Sequence, residues 1–229
     1  MYLSRLLLNS RSADVRRDFR NIHDVHRRVL AAFPDLELIE KARKEFEILF
    51  RVDTSAEGNL SLLVQSLTMP DWSCLPSGYL QDCFEPNPAS TELATLLQRI
   101  QPGLRLRFRL RVNATKRLRS DSDKRGKRVE LVGAENLVAW LNRKAAAAGF
   151  ELCIRDSNAA TPAVAKYAVR VTREGKVRGH RSGVVLTFGS TLFDGDLVVT
   201  NAAAFCDALK AGLGSAKAYG FGLLSVAPA

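Results

Sequence analysis

The sequence predicts an α+β chain of two small units, each a sheet of short strands covered on one face by helices. Three observations predict it. Short β-rich segments alternate with amphipathic helical ones along the chain, and its 229 residues suffice for two small cores. A basic stretch poor in apolar residues, 116–130, separates the two and reads as a linker, which leaves 1–115 and 131–229 as the units. Strand order is not readable from one sequence, but β-α-β-β-α-β is a common way to build such a unit.

In chain order, residues 2–9 read as a strand and 12–33 as helix. Asn21 caps a second helical piece, with Asp24 three residues on in the manner of a capping box. Ile22, Val25, Val29, Leu30 and Phe33 follow helical spacing until Pro34 stops it. Residues 46–52 and 60–67 read as strands around a turn at Glu57-Gly58-Asn59, and 69–90, with Pro70, Pro76, Pro86 and Pro88, as an irregular loop. Residues 104–112 alternate strictly, placing Leu104, Leu106, Phe108, Leu110 and Val112 on one face and Arg105, Arg107, Arg109 and Arg111 on the other. After the linker, 135–149 reads as helix with Gly149 at its C-terminus. Segments 150–154, 167–172, 184–188 and 196–199 read as strands, the last two around a Phe193-Asp194-Gly195 turn. Thr200 or Asn201 caps a helix through Leu209.

Composition narrows the function. Apolar residues make up 46% and charged residues 25%, ordinary for a globular protein. No apolar run approaches the roughly 20 residues that span a bilayer, and the N-terminus lacks the pattern of a signal peptide, so the chain reads as cytoplasmic with no membrane partner. Cys74, Cys83, Cys153 and Cys206 form no CxxC pair, which argues against a zinc site or a disulfide framework. The net charge is +10, from 34 Lys and Arg against 24 Asp and Glu. Arginine dominates it, and its bidentate geometry suits phosphate, so nucleic acid is the leading partner class.

Four like charges side by side on one strand repel one another, which favours a face that meets phosphate over a merely solvated one. A second basic block, Arg170, Arg173, Lys176, Arg178 and Arg181 with His180, is interleaved with Gly175, Gly179 and Gly183 and reads as a hairpin arm. Near the C-terminus Gly212-Leu213-Gly214 and Gly220-Phe221-Gly222 flank Lys217, a pattern suited to close backbone approach to an anion. Aromatic residues are only 7%, which favours recognition of the backbone and shape of structured RNA over base stacking.

Two of the three histidines are His23 and His26. At about 100° per residue, with Ile22 as zero, His26 falls at about 40°, inside the apolar stripe, and His23 at about 100°, at its edge. Residues three apart share a helix face, so both rings can meet one substrate. Imidazole titrates near neutrality and can move the proton when a ribose 2′-OH attacks the adjacent phosphate, a reaction that needs no metal. The alternatives are a core histidine satisfied by a backbone carbonyl and, a poorer reading because no carboxylate or cysteine is placed as a third ligand, a metal site at His23 and His26.

These pieces resemble one family. Met1-Tyr2-Leu3-Ser4-Arg5-Leu6 and Asp24-Val25-His26-Arg27-Arg28-Val29-Leu30-Ala31-Ala32-Phe33-Pro34 resemble the N-terminus of the CRISPR-associated endoribonuclease family Cas6e, also called CasE. Arg109-Leu110-Arg111-Val112-Asn113-Ala114-Thr115 resembles its mid-chain strand, and 212–228 the glycine-rich signature of the wider Cas6 group. The resemblance runs end to end. It implies two tandem ferredoxin-like (RRM-like) domains and metal-independent cleavage of CRISPR precursor RNA at the base of the repeat hairpin. It implies a 2′,3′-cyclic phosphate product, no cofactor, and retention on the guide RNA beside other Cascade subunits.

By position His26 is the family's catalytic histidine. Some members carry tyrosine where this chain has His23, which serves either as a second acid–base group or to orient the phosphate. The RNA-binding set expected is Arg27, the four strand arginines, Lys116, the hairpin cations Arg170, Arg173, Lys176, Arg178 and Arg181, and Gly214 with Lys217. The same basic surface would also serve a non-catalytic RNA-binding or scaffolding subunit of a ribonucleoprotein.

Overall fold

The computed structural model describes residues 1–34, 43–120, 123–155 and 166–229. The chain divides into two compact units. The first takes Met1–Arg99, Val177–Phe188 and Ala216–Leu223; the second takes Ile100–Lys176, Gly189–Ser215 and Leu224–Ala229.

In the first unit, strand β1 (Tyr2–Leu8) leads through helices α1 (Ala13–Phe19) and α2 (Ile22–Leu30) to strands β2 (Leu49–Thr54) and β3 (Leu60–Ser66), then to β4 (Ala89–Glu92) and a short helix α3 (Ala94–Gln98). The sheet order is β2-β3-β1-β4, with antiparallel neighbours throughout. The third strand thus inserts between the first two, which is the split β-α-β arrangement of a ferredoxin-like fold. Leu6 and Leu8 of β1, Val25 and Val29 of α2, and Leu62 and Val64 of β3 bury together as one core. Each such side chain contributes roughly 1.5–3 kcal/mol when fully buried.

The second unit opens with β5 (Arg105–Val112), followed by β6 (Thr115–Ser120), β7 (Asp123–Glu130) and helix α4 (Ala134–Ala147). Strands β8 (Phe150–Leu152), β9 (Val169–Arg181) and β10 (Val184–Val199), helix α5 (Ala202–Ala211) and strand β11 (Leu224–Pro228) complete it, the tip of the β9–β10 hairpin belonging to the first unit. Its sheet runs β11-β5-β10-β8, with β9 on β10. Counting β5, β8, β10 and β11 as strands one to four, this repeats the order of the first unit, so both units are ferredoxin-like. Phe108, Phe150 and Phe205 pack together in its core, Phe150 and Phe205 edge to face at 5.7 Å. Asn201 caps α5 by accepting from the Ala204 N–H at 3.0 Å.

Several expectations change. Strand 104–112, which the sequence places in 1–115, pairs with β10 and β11 of the second unit. Sequence proximity assigned it to its chain neighbours, whereas its ladder partners lie far along the chain. The expected linker 116–130 is a two-stranded ribbon, with Thr115 opposite Glu130 and Lys116 opposite Val129; residues 121–122 of it lie outside the described residues. Its polar composition rules out a core of its own but not a ladder, and the buried Ala114 and Leu131 pin its base through a 2.9 Å backbone bond. The expected turn at Phe193-Asp194-Gly195 is continuous strand. Phe193 is fully buried, and Gly195 lets the backbone at Ala168 and Val169 approach where a Cβ would collide.

Candidate active site

Helix α2 carries both histidines of the site. Asn21 starts it with an extended backbone (φ −140°) and accepts from the His23 N–H at 3.2 Å. Val25, His26, Val29 and Leu30 form its buried face, on which His26 is 8% exposed. His23 lies at the margin of that face and is half-buried.

The second wall comes from the glycine-rich stretch. Lys217–Tyr219 form a single 3-10 turn between two left-handed residues, Ala216 (φ 59°) and Gly220 (φ 80°). Gly220 closes down on Phe50 of β2, whose ring would stand 3.1 Å from any Cβ there. One strand residue on, the buried Arg51 reaches the Leu223 carbonyl at 3.4 Å while paired to Asp53 at 2.9 Å. Ala216, a non-glycine residue held at positive φ, costs of order 1 kcal/mol, strain of the kind that clusters at functional sites. This seating presents Tyr219, which stacks on Phe188 at 4.9 Å.

The rings of His23, His26 and Tyr219 make a triangle, with centroid separations of 6.0, 6.3 and 6.0 Å. They line a cleft of about 320 Å³ together with Arg43, Lys44, Arg181 and Ala218. Three cations and no carboxylate line it, so it favours an anion. Among the described residues no group of three or more His, Cys, Asp or Glu side chains is placed to hold a metal ion.

Burial above all, and then the Arg181 charge, hold the His23 imidazole below its ordinary pKa; Asp24 opposes them and Arg27 adds to them. The Nδ1 atom of His23 is shielded from solvent with no hydrogen-bond partner. A neutral imidazole at near-neutral pH is a competent base.

Of the expected site residues, His23, His26 and Arg181 come together in this cleft. Arg27 and Arg178 belong to the same unit and are exposed, Arg27 lying 3.9 Å from Asp24. Lys217 belongs to the wall but not to the residues lining the cleft. Gly214 lies in the second unit, where a Cβ would stand 3.4 Å from the Trp140 indole; its lack of a side chain serves packing.

Arg105, Arg107, Lys116, Arg170, Arg173 and Lys176 are exposed in the second unit. The strand arginines are not a row of unopposed charges. Arg109 pairs with Asp194 at 2.6 Å, Arg111 with Glu174 at 2.5 Å, and Arg107 donates to the Pro228 carbonyl at 3.1 Å. Beyond the strand, Arg173 pairs with Glu130 at 3.2 Å. The opposing charges arrive from neighbouring strands, which one strand's pattern does not reveal.

Sequence reasoning missed Tyr219, Arg43 and Lys44. Tyr219 sits inside the glycine-flanked stretch already singled out, so an aromatic within a glycine-flanked run was the available signal. The run Arg43-Lys44 carried none beyond its charge.

The comparisons with known proteins agree in one direction. The family described as "CRISPR associated protein" matches residues 1–228. The CRISPR-associated endoribonuclease Cse3 of Thermus thermophilus is 37% identical over 229 residues, covering all of both chains. A structure of Thermus thermophilus Cse3 bound to an RNA representing a pre-cleavage complex superimposes with a TM-score of 0.77 at 34% identity, covering 99% of this chain and 98% of that one. The CRISPR system Cascade subunit CasE of Escherichia coli K12 is 28% identical over the full length of both.

Proposed function

The chain belongs to the CRISPR-associated protein family, and from that premise we propose that it is a cytoplasmic endoribonuclease that cuts CRISPR precursor RNA at the base of each repeat hairpin. It then stays on the mature guide RNA as a subunit of a Cascade complex, a reading supported by its similarity to the endoribonuclease Cse3 and the Cascade subunit CasE. The observation that carries the cleavage reading is His23, held neutral beside His26 and Tyr219 in a cleft lined by cations.

His23 accepts the proton of the ribose 2′-OH, and the 2′ oxygen attacks the adjacent phosphorus. As the P–O2′ bond forms, the P–O5′ bond breaks, and His26 delivers a proton to the departing 5′ oxygen. The products are a 2′,3′-cyclic phosphate and a free 5′-OH, so every proton and electron pair is accounted for without a metal. Each such proton transfer is worth roughly 10²–10⁴-fold. Arg43, Lys44 and Arg181 face the charge that develops on the non-bridging oxygens, where fixed cations act without reorganising. Arg27, Arg105, Arg107, Lys116, Arg170, Lys176 and Arg178 hold the RNA backbone, a sequence-independent contribution that weakens with salt.

A repeat hairpin carrying a 2′-deoxy nucleotide at the scissile position tests the reading. It should bind with unchanged affinity and resist cleavage under single-turnover conditions. Cleavage at the unmodified rate would rule out attack by the 2′-OH.

A further inference from the structure

We propose that Asn21 is a positioning residue that clamps the tip of the basic β9–β10 hairpin to the histidine helix, so that RNA held by the hairpin sets the pose of His23. The effect on cleavage rests on the endoribonuclease reading; the clamp itself does not.

A helix N-cap needs one acceptor contact. The Asn21 amide makes four. Its Oδ1 accepts from the His23 N–H at 3.2 Å and from the His180 N–H at 2.9 Å. Its Nδ2 donates to Asp24 Oδ2 at 2.9 Å and to the His180 carbonyl at 3.5 Å. Two donors and two acceptor sites are all an asparagine amide has, and all are used. The pair of bonds to the His180 backbone copies what a neighbouring strand would supply.

The other side of the contact is equally specific. Gly179 lies against the start of α2, where a Cβ would stand 2.8 Å from Ile22 Cγ2 and 3.1 Å from Asn21 Oδ1. Only glycine allows the arm to come this close. Past His180 the arm carries Arg181, then turns at Ser182 and Gly183, both at positive φ as a two-residue hairpin loop of this type requires.

The clamp therefore controls where the Arg181 charge sits relative to His23. The charged and titratable groups around that ring are Arg181 from the hairpin, Asp24 and Arg27 from its own helix, His26, and Arg43, Lys44 and Tyr219 across the cleft. After burial, Arg181 has the largest effect in holding the ring neutral. Releasing the arm lets the His23 pKa rise.

The test uses Asn21→Ser, which keeps a good N-cap but cannot bridge to His180 and Asp24, and Gly179→Ala, which disturbs the same contact from the hairpin side and leaves the Asn21 side chain present. Three quantities are read in the full-length protein: His23 titration by NMR without RNA, repeat-hairpin affinity, and single-turnover cleavage. Each variant should raise the His23 midpoint, leave affinity within about threefold, and slow cleavage by about tenfold to a hundredfold, the cost of a small misplacement. The double variant should add little, because both changes break one contact.

An unchanged His23 midpoint and cleavage rate in both variants would overturn the proposal and leave Asn21 a simple cap. If Asn21→Ser fails to fold, Gly179→Ala decides by the same readouts. If the wild-type protein does not cleave, the functional reading falls, and the His23 midpoint still decides the clamp.

Discussion

The ring of Tyr219 lies 6.0 Å from that of His26 and 6.3 Å from that of His23, and stacks on Phe188 at 4.9 Å. Tyr219 thus forms a fixed wall against the His26 imidazole, held by the turn between Ala216 and Gly220. Tyr219→Ala should lower single-turnover cleavage of a repeat hairpin by up to about 100-fold with little change in RNA affinity, because the ring that positions His26 is gone. Tyr219→Phe, which keeps the wall, should retain most of the rate. Equal rates for Ala and wild type would remove Tyr219 from the site.

The state of His23 predicts a pH profile. Its pKa is lowered by burial and Arg181, so the neutral, base-competent form persists below the ordinary histidine value of about 6.5. The rising limb of the kcat/KM profile should therefore bend below that value, since this profile reports free-enzyme groups. Arg181→Gln removes a positive neighbour, which makes protonation easier. That bend should move to higher pH, whatever happens to the maximal rate.

A buried network in the first unit predicts a stability effect. Asp18 is 2% exposed and receives Arg28 Nε at 2.8 Å and the Tyr79 hydroxyl at 3.2 Å. Asp18→Ala strands both partners, which should cost about 3 kcal/mol, as expected for removing one member of a buried pair. Thermal or denaturant unfolding measures it.

Arg105 and Arg111 share a strand face but should behave differently. Arg105 makes no ion pair among the described residues, and Arg111 is paired with Glu174. If Arg105 meets phosphate, Arg105→Ala should reduce the slope of log affinity against log salt by about one. Arg111→Ala should chiefly lower stability, because it leaves Glu174 and its Ser190 hydrogen bond without the countercharge.

What the sequence made legible was local. Period-two alternation located β5, helical spacing located α2 and put His26 on its apolar stripe, and Asn21 and Asn201 marked the helix starts. What it hid depended on partners distant in the chain. Strand β5 could not be given to the second sheet without β10 and β11 in view. Asp194 and Glu174 could not be matched to Arg109 and Arg111 without the strand pairings. Asn21 looked like a cap because its contacts with His180 join residues that no local pattern connects. The charge of Lys217 is legible in its stretch, whereas the backbone geometry that sets the Tyr219 ring, two residues on, into the cleft lining is not.

On the proposed function His26 moves a proton in a reaction that needs no metal. Single-turnover cleavage of the cognate repeat hairpin, in chelator, by wild type and His26→Ala tests it most directly. The account predicts a wild-type reaction ending in a 2′,3′-cyclic phosphate, and a loss of about 10²–10⁴-fold in the variant with RNA binding intact. Cleavage by His26→Ala at the wild-type rate, or wild-type activity abolished by the chelator, would contradict it.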